Sequence, residues 1–152
     1  MKVFDRIRSR DINLEIPISD TEDELNYYLF KPSFYNSFLE ESSVLHKDLL
    51  IGKKELLTKR LSNVLDDYLN GRAIDFMTVD VEGFDFNVLK SNNWDKYRPK
   101  VILFELFTNN IESIQSNEIS LFLNEKGYSL YCFSPTNIFF IENEFYKERF
   151  KD

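Results

Sequence analysis

Residues 74–89 read IDFMTVDVEGFDFNVL, and residues 101–107, a dozen positions further on, read VILFELF. The first stretch opens on a mostly apolar segment over 74–79 and then turns acidic at Asp80-Val81-Glu82-Gly83. That order predicts a buried strand, a sharp exit at Gly83, and a short helix over 84–90. The second stretch is a nearly continuous apolar run, which suits a strand in a sheet covered on both faces. Downstream, a helix is expected over 116–126, with Ile119, Phe122 and Leu123 buried and Gly127 past its end. Residues 128–133 and 137–142 read as two strands joined by Ser134-Pro135-Thr136, the pattern of a hairpin. Strand, helix, strand, helix and a terminal strand pair together predict an α/β fold with a mostly parallel sheet. Ligands of such sheets sit in the crevice beyond the carboxyl ends of the strands.

Upstream the pattern is weaker. Residues 1–10 predict a short helix with Val3, Phe4 and Ile7 on one side. Leu14, Ile16 and Ile18 alternate with Asn13, Glu15 and Pro17, the period of a strand. Residues 19–23, SDTED, form a turn, and 25–30 predict another strand. Residues 33–54 carry no clear period, and 55–60 read as a short strand. Ser62 is placed as the N-cap of a helix over 63–69 that Gly71 stops. No linker composition interrupts the chain, so residues 1–152 are expected to form one domain.

Composition narrows the function classes. The 152 residues hold 19 Lys plus Arg against 26 Asp plus Glu, a net charge of −7, which argues against a nucleic-acid platform. An apolar fraction of 43% argues against disorder, and no apolar run exceeds four residues, so no membrane span is expected. One cysteine, Cys132, leaves no intrachain disulfide and no thiolate metal cage, and Cys132 reads as a small core hydrophobe. These features, with a charged amino terminus, predict a soluble cytoplasmic protein. The four glycines, Gly52, Gly71, Gly83 and Gly127, form no G-x-G, so a glycine-rich phosphate cradle is missing. The single histidine, His46, is not accompanied by a G-x-S-x-G elbow.

Chemistry concentrates where the first strand ends. Asp80 and Glu82 lie at its carboxyl edge, and neighbouring carboxylates raise one another's pKa, one route to a general base near neutrality. The alternative is that both cap the following helix, beside Asp85 in its first turn. Glu105 sits deep in an apolar run, where a carboxylate is either a site residue or the ion-pair partner of Lys100 or Arg98. Ser19 and Asp20 close an earlier strand and read locally as a solvated turn. His46, Lys47, Lys53, Lys54, Lys59 and Arg60 form a basic stretch, either a solvated face or a lure for an anionic acceptor. The rings at 27, 28, 30, 34, 35 and 38 serve either the core or the stacking of a sugar.

The segment resembles the distal motif of FkbM-type methyltransferases. Their pattern, I-D-x-x-x-x-D-V-E-G-x-E/D, then V-L, then P-x-x-I-x-x-E, is met by Ile74, Asp75, Asp80, Val81, Glu82, Gly83, Asp85, Val88, Leu89, Pro99, Ile102 and Glu105. An upstream T-x-x-L-like stretch is met by Thr58, Leu61, Val64 and Leu65 with Asp66 and Asp67, and a late Gly-Tyr by Gly127 and Tyr128. The resemblance spans about residues 10–145 and implies a Rossmann-like class I methyltransferase fold with a terminal antiparallel strand pair. It implies S-adenosylmethionine as cofactor and O-methylation of a hydroxyl on a saccharide or secondary metabolite. Asp80, Glu82 and Glu105 become its catalytic residues, while Ser19, Asp20 and Asp80 face the cofactor, with Ser19 and Asp20 near the adenine. Family members also carry an upstream D-x-G-A-N-like turn and a second strand ending in an acid. Neither has a counterpart here, so the resemblance implies an amino-terminally truncated domain.

Two other classes stand beside that reading. One is a non-catalytic remnant, or one part of a split domain, that self-associates through an exposed sheet edge. The other is a metal-dependent hydrolase with Asp80, Glu82 and Glu105 as oxygen ligands.

Overall fold

The structure is a computed structural model that describes residues 2–108 and 110–150. Met1, the first residue of the expected amino-terminal helix, lies outside the described residues, and α1 spans Lys2–Ile7. Strands β1 (Glu24–Phe30) and β2 (Leu50–Leu57) then pair antiparallel as a separate two-stranded sheet. Between them lie helix α2 (Glu40–Leu45) and two short 3-10 turns. Helix α3 (Leu61–Leu69) leads into β3 (Phe76–Val79), α4 (Asp85–Lys90) and β4 (Val101–Glu105). Helices α5 (Ile111–Ser116) and α6 (Glu118–Glu125), strands β5 (Tyr128–Phe133) and β6 (Asn137–Glu142), and helix α7 (Asn143–Arg149) complete the chain.

The second sheet has the order β3-β4-β6-β5, and here the expectation of a mostly parallel sheet fails. Only β3 and β4 pair in parallel, while β6 runs antiparallel to both β4 and β5. The reason is the hairpin. Ser134-Pro135-Thr136 is far too short for a crossover, so β6 must return against β5, and it does so beside β4. Strands β3, β4 and β5 therefore point one way, with β6 reversed among them.

The core lies on one face of this sheet. Ile102 pairs with Phe140 and Phe104 with Ile138, and all four are fully buried. Leu89 from α4, Ile114 from α5 and Leu123 from α6 cover them, joined by Trp94 and Tyr128. Residues 101–107 are thus not buried on both faces: Val101 and Leu103 are half-buried and Phe107 is exposed. The apolar run overstated its burial because part of it lies past the end of β4.

Several local expectations shift. The late helix expected over 116–126 is α6, which starts at Glu118 because Asn117 turns the chain and caps it, accepting from the Ile119 N–H at 2.9 Å; α5, before it, was not expected. Helix α3 begins at Leu61, so Ser62 is inside it rather than its cap. Its amino end is served from outside: Ser91 Oγ accepts from the Leu61 N–H at 2.9 Å and the Ser91 carbonyl from the Ser62 N–H at 3.2 Å. Residues 14–18 form no strand; Ile18 makes a lone parallel bridge to Lys59. Strand β2 begins earlier than expected, and Cys132 is exposed rather than in the core.

Candidate active site

The chain leaves β3 at Val79 and turns through Asp80–Gly83 before α4 begins. Glu82 takes a left-handed φ of 51° and Gly83 one of 86°. Left-handed backbone is cheap for Gly83 and costly for Glu82. The turn is held from two sides. Asp85 is buried, and its carboxylate accepts from the Gly83 N–H at 3.2 Å and the Val81 N–H at 3.4 Å. From the other side, Ser37 Oγ donates to the Glu82 carbonyl at 3.1 Å.

Asp85 therefore closes this turn, and α4 begins without a side-chain cap, so neither Asp80 nor Glu82 caps the helix. Neither of those carboxylates accepts a hydrogen bond from a described residue, and both are exposed, lining a cleft of about 700 Å³. The opposite walls are the 14–18 segment and the loop carrying Phe34, Ser37 and Phe38. Burial, then the charges of Asp80, Glu105 and Asp85, push the Glu82 carboxyl above its usual range. Burial raises Asp85 as well, with Asp80 reinforcing it, while the N–H groups of Val81 and Gly83 pull the other way.

Glu105 ends β4 opposite Asn137 and does not line the cleft, though its charge reaches Glu82. The alternative ion-pair role for Glu105 is not met: Lys100 pairs with Asp75 at 2.6 Å and Arg98 with Glu142 at 3.0 Å. No group of three or more His, Cys, Asp or Glu converges to hold a metal ion among the described residues, so the hydrolase expectation has no ligand set.

Ser19 and Asp20 line a second, smaller cleft of about 360 Å³ with Asn26, Tyr28, Phe38, Phe84 and Asn87. The solvated-turn reading is corrected here: Ser19 is buried and Asp20 half-buried. Asp20 pairs with Lys90 at 2.8 Å and accepts from Asn87 Nδ2 at 2.8 Å. Burial pushes its carboxyl up, but the Lys90 and Asn87 hydrogen bonds and the Lys90 charge outweigh this and hold it below the usual range. Asn26 Oδ1 is sealed from solvent without a hydrogen-bond partner. Phe38 and Phe84, 5.5 Å apart, line both clefts.

Of the flagged rings, Tyr28 and Phe30 are buried, while Tyr27, Phe34 and Phe38 line the larger cleft. His46 packs against the rings of Tyr35 at 4.4 Å and Phe30 at 6.1 Å. Sequence reasoning missed Ser37, Phe84, Asn26 and Asn87. Ser37 meets Glu82 across 45 positions, and no local pattern marks such a contact. An aromatic directly after D-V-E-G was the available signal for Phe84.

Against this geometry, the model of the methyltransferase FkbM domain matches residues 5–130. The chain belongs to the FkbM methyltransferase family. No curated protein and no solved structure shows significant similarity to it. Among the described residues, no helix is long and apolar enough to cross a membrane.

Proposed function

We propose that this chain serves S-adenosylmethionine-dependent O-methylation of a hydroxyl on a saccharide or other small molecule, in the cytoplasm. The observation that carries the reading is the pair of adjoining clefts: one holds Asp80 and Glu82 without hydrogen-bond partners, the other Ser19 and Asp20, and Phe38 and Phe84 line both. Transfer between two bound molecules needs neighbouring seats, because alignment of the reacting atoms supplies much of the rate.

The smaller cleft fits the adenosine end of the cofactor. It is walled by the rings of Tyr28, Phe38 and Phe84 and lined by the polar side chains of Ser19, Asp20, Thr21 and Asn87. Ser19 and Asp20 are the residues assigned to hold it, with Asp80 at the boundary toward the reacting end. When bound, the cofactor supplies the methyl group and its sulfur leaving group. The chain's own work is to orient the acceptor and take its proton. Asp80 or Glu82 is the base, and the shift of the Glu82 carboxyl above its usual range is in the direction that task needs. Glu105 acts on the acceptor only at a distance, through its charge on Glu82. The common direction of β3, β4 and β5 supports the finer reading of a Rossmann-like sheet, within one domain over residues 1–152.

Titration calorimetry with S-adenosylhomocysteine tests this. Binding that Asp20→Ala weakens tenfold or more is the expected result; no heat of binding overturns it.

One observation favours a second reading. The free edge of β3 carries no strand among the described residues, as a remnant or one part of a split domain would leave it. Self-association through that edge meets an obstacle, since antiparallel pairing of β3 with its copy sets Asp75 against Asp80. Light scattering after size exclusion decides: a monomer at high concentration removes the self-associating form of this reading.

A further inference from the structure

The larger cleft has a consistent chemical character. Its rings are Tyr27, Phe34, Phe38 and Phe84, with Tyr27 and Phe38 4.8 Å apart and Phe38 and Phe84 5.5 Å apart. Its charged residues are Glu15 on one wall and Asp80 and Glu82 on the other, and among the described residues no Lys, Arg or His lines it. Four of the chain's cations are engaged elsewhere. Lys90 is held by Asp20, Lys100 by Asp75, Arg98 by Glu142, and Arg60 donates to the carbonyls of Asp20 and Lys90.

We propose that the acceptor bound in this cleft is a hydroxyl compound bearing a protonated amine, with an amino sugar as its simplest class. This rests on the reading of the cleft as the acceptor seat and names what sits there. An ammonium group is attracted both by carboxylates across a partly desolvated gap and by the faces of aromatic rings. Flat sugar faces stack on the same rings through their C–H edges. An anionic acceptor, the kind the basic stretch around Lys53 and Lys54 suggested, would enter against three carboxylates without a counter-ion. A neutral one would leave Asp80 and Glu82, which lack protein donors, to water alone. The charge of Glu82, disfavoured by burial and then by Asp80, Glu105 and Asp85, is favoured by a bound cation and disfavoured further by a bound anion.

The test is direct binding by ligand-observed NMR to the chain without cofactor, using glucosamine, N-acetylglucosamine and glucuronic acid. Glucosamine is expected to bind at least tenfold more tightly than its N-acetyl form, and glucuronic acid not to bind. Asp80→Asn with Glu82→Gln should erase that preference, and Glu15→Gln, on an exposed position, should weaken glucosamine about threefold with an unchanged melting temperature. Equal binding of the amine and the amide, tighter glucuronic acid, or no binding of any of the three overturns the proposal. Glucosamine displaced competitively by S-adenosylmethionine, itself a cation, would make the cleft the donor seat and also overturn it. Failure here is separable from failure of the methyltransferase reading. Binding of S-adenosylhomocysteine without any amine leaves that reading standing, while amine binding without the homocysteine compound removes it and keeps the charge class.

Discussion

The two sheets of this molecule are built on different principles. In the four-stranded sheet, Ile102, Phe104, Ile138 and Phe140 lie at 0% exposure under three helices. Around the two-stranded sheet, large apolar side chains face outward: Val44 is 74% exposed, Leu45 78% and Ile51 67%. Apolar burial is the dominant favourable term in folding, so the stability of the chain resides in the second half. The clefts lie at the seam, with Asp80, Glu82 and Phe84 contributed by the packed half and Ile16, Ser37 and Phe38 by the looser one. The carboxylates at the end of β3 thus stand on the better-buried half, while the wall facing them comes from the half with more exposed apolar side chains.

Large-to-small changes test the contrast most severely. Phe104→Ala should cost about 3–5 kcal/mol, because it opens a cavity between β4, β6 and the covering helices. Ile51→Ser, at an exposed position of β2, should stay within about 0.5 kcal/mol. Chemical denaturation of both variants checks the pair. Comparable losses would mean that the two-stranded sheet is packed as tightly as the other, and the contrast would fall.

Asp80→Asn comes next. Asp80 is exposed, and its carboxylate accepts no hydrogen bond, so the change should leave the melting temperature within a degree or two. If Asp80 takes a proton or holds the acceptor, turnover should fall by roughly 10²–10⁴-fold, since Asn keeps the shape but not the basicity. Transfer of a labelled methyl group to amino sugars is the measurement. Unchanged turnover retires Asp80 as a functional residue.

Gly83→Ala probes the seam itself. The backbone there has a φ of 86°, and an added Cβ would stand 2.8 Å from Leu39 Cδ1. The left-handed geometry alone costs a residue with a Cβ about 1–2 kcal/mol. Leu39 must also move, and it follows Ser37 and Phe38 on the facing wall. The expected result is a lower melting temperature together with weaker ligand binding; loss of one without the other would show that the turn and the loop are not coupled.

How much of this was legible follows the same division. The bounds of β5 and β6 were readable to the residue, because two apolar runs flank a three-residue turn with one proline. The carboxylates at the end of β3 were legible for a similar reason: an abrupt change from apolar to acidic marks a strand end. Strand β2 was misplaced because Lys53, Lys54 and Glu55 hide any alternation, and its pairing with Tyr28, Tyr27 and Asn26 is a property of two distant segments. That Asp85 holds the turn was not legible, since residue type and spacing do not say which acid turns inward. Pairing of β4 with β6 instead of another parallel strand was likewise set by tertiary packing, not by the run of apolar residues.

The smallest effect expected is the pH response of the seam. The folded-state pKa of Glu82 lies above its unfolded value, chiefly through burial and then through Asp80, Glu105 and Asp85. A carboxyl with a raised pKa binds protons more readily folded than unfolded. Its contribution is therefore fully present below the unfolded value near 4.5 and is lost as pH rises through the folded one. Asp85, raised mainly by burial, acts in the same direction, whereas Asp20 and Asp66 are lowered and act in the opposite one as pH falls. Their sum hides the term in the wild-type curve, so the difference between variants must carry the test. Glu82→Gln should raise the melting temperature slightly at pH 7, where it removes a charge that folding disfavours. That advantage should shrink as pH falls toward 4.5, where the wild-type side chain is itself protonated. A variant less stable than wild type at pH 7 would mean that the Glu82 charge is stabilised by a partner, and the acidic cleft would then be a satisfied network rather than a site awaiting a cation.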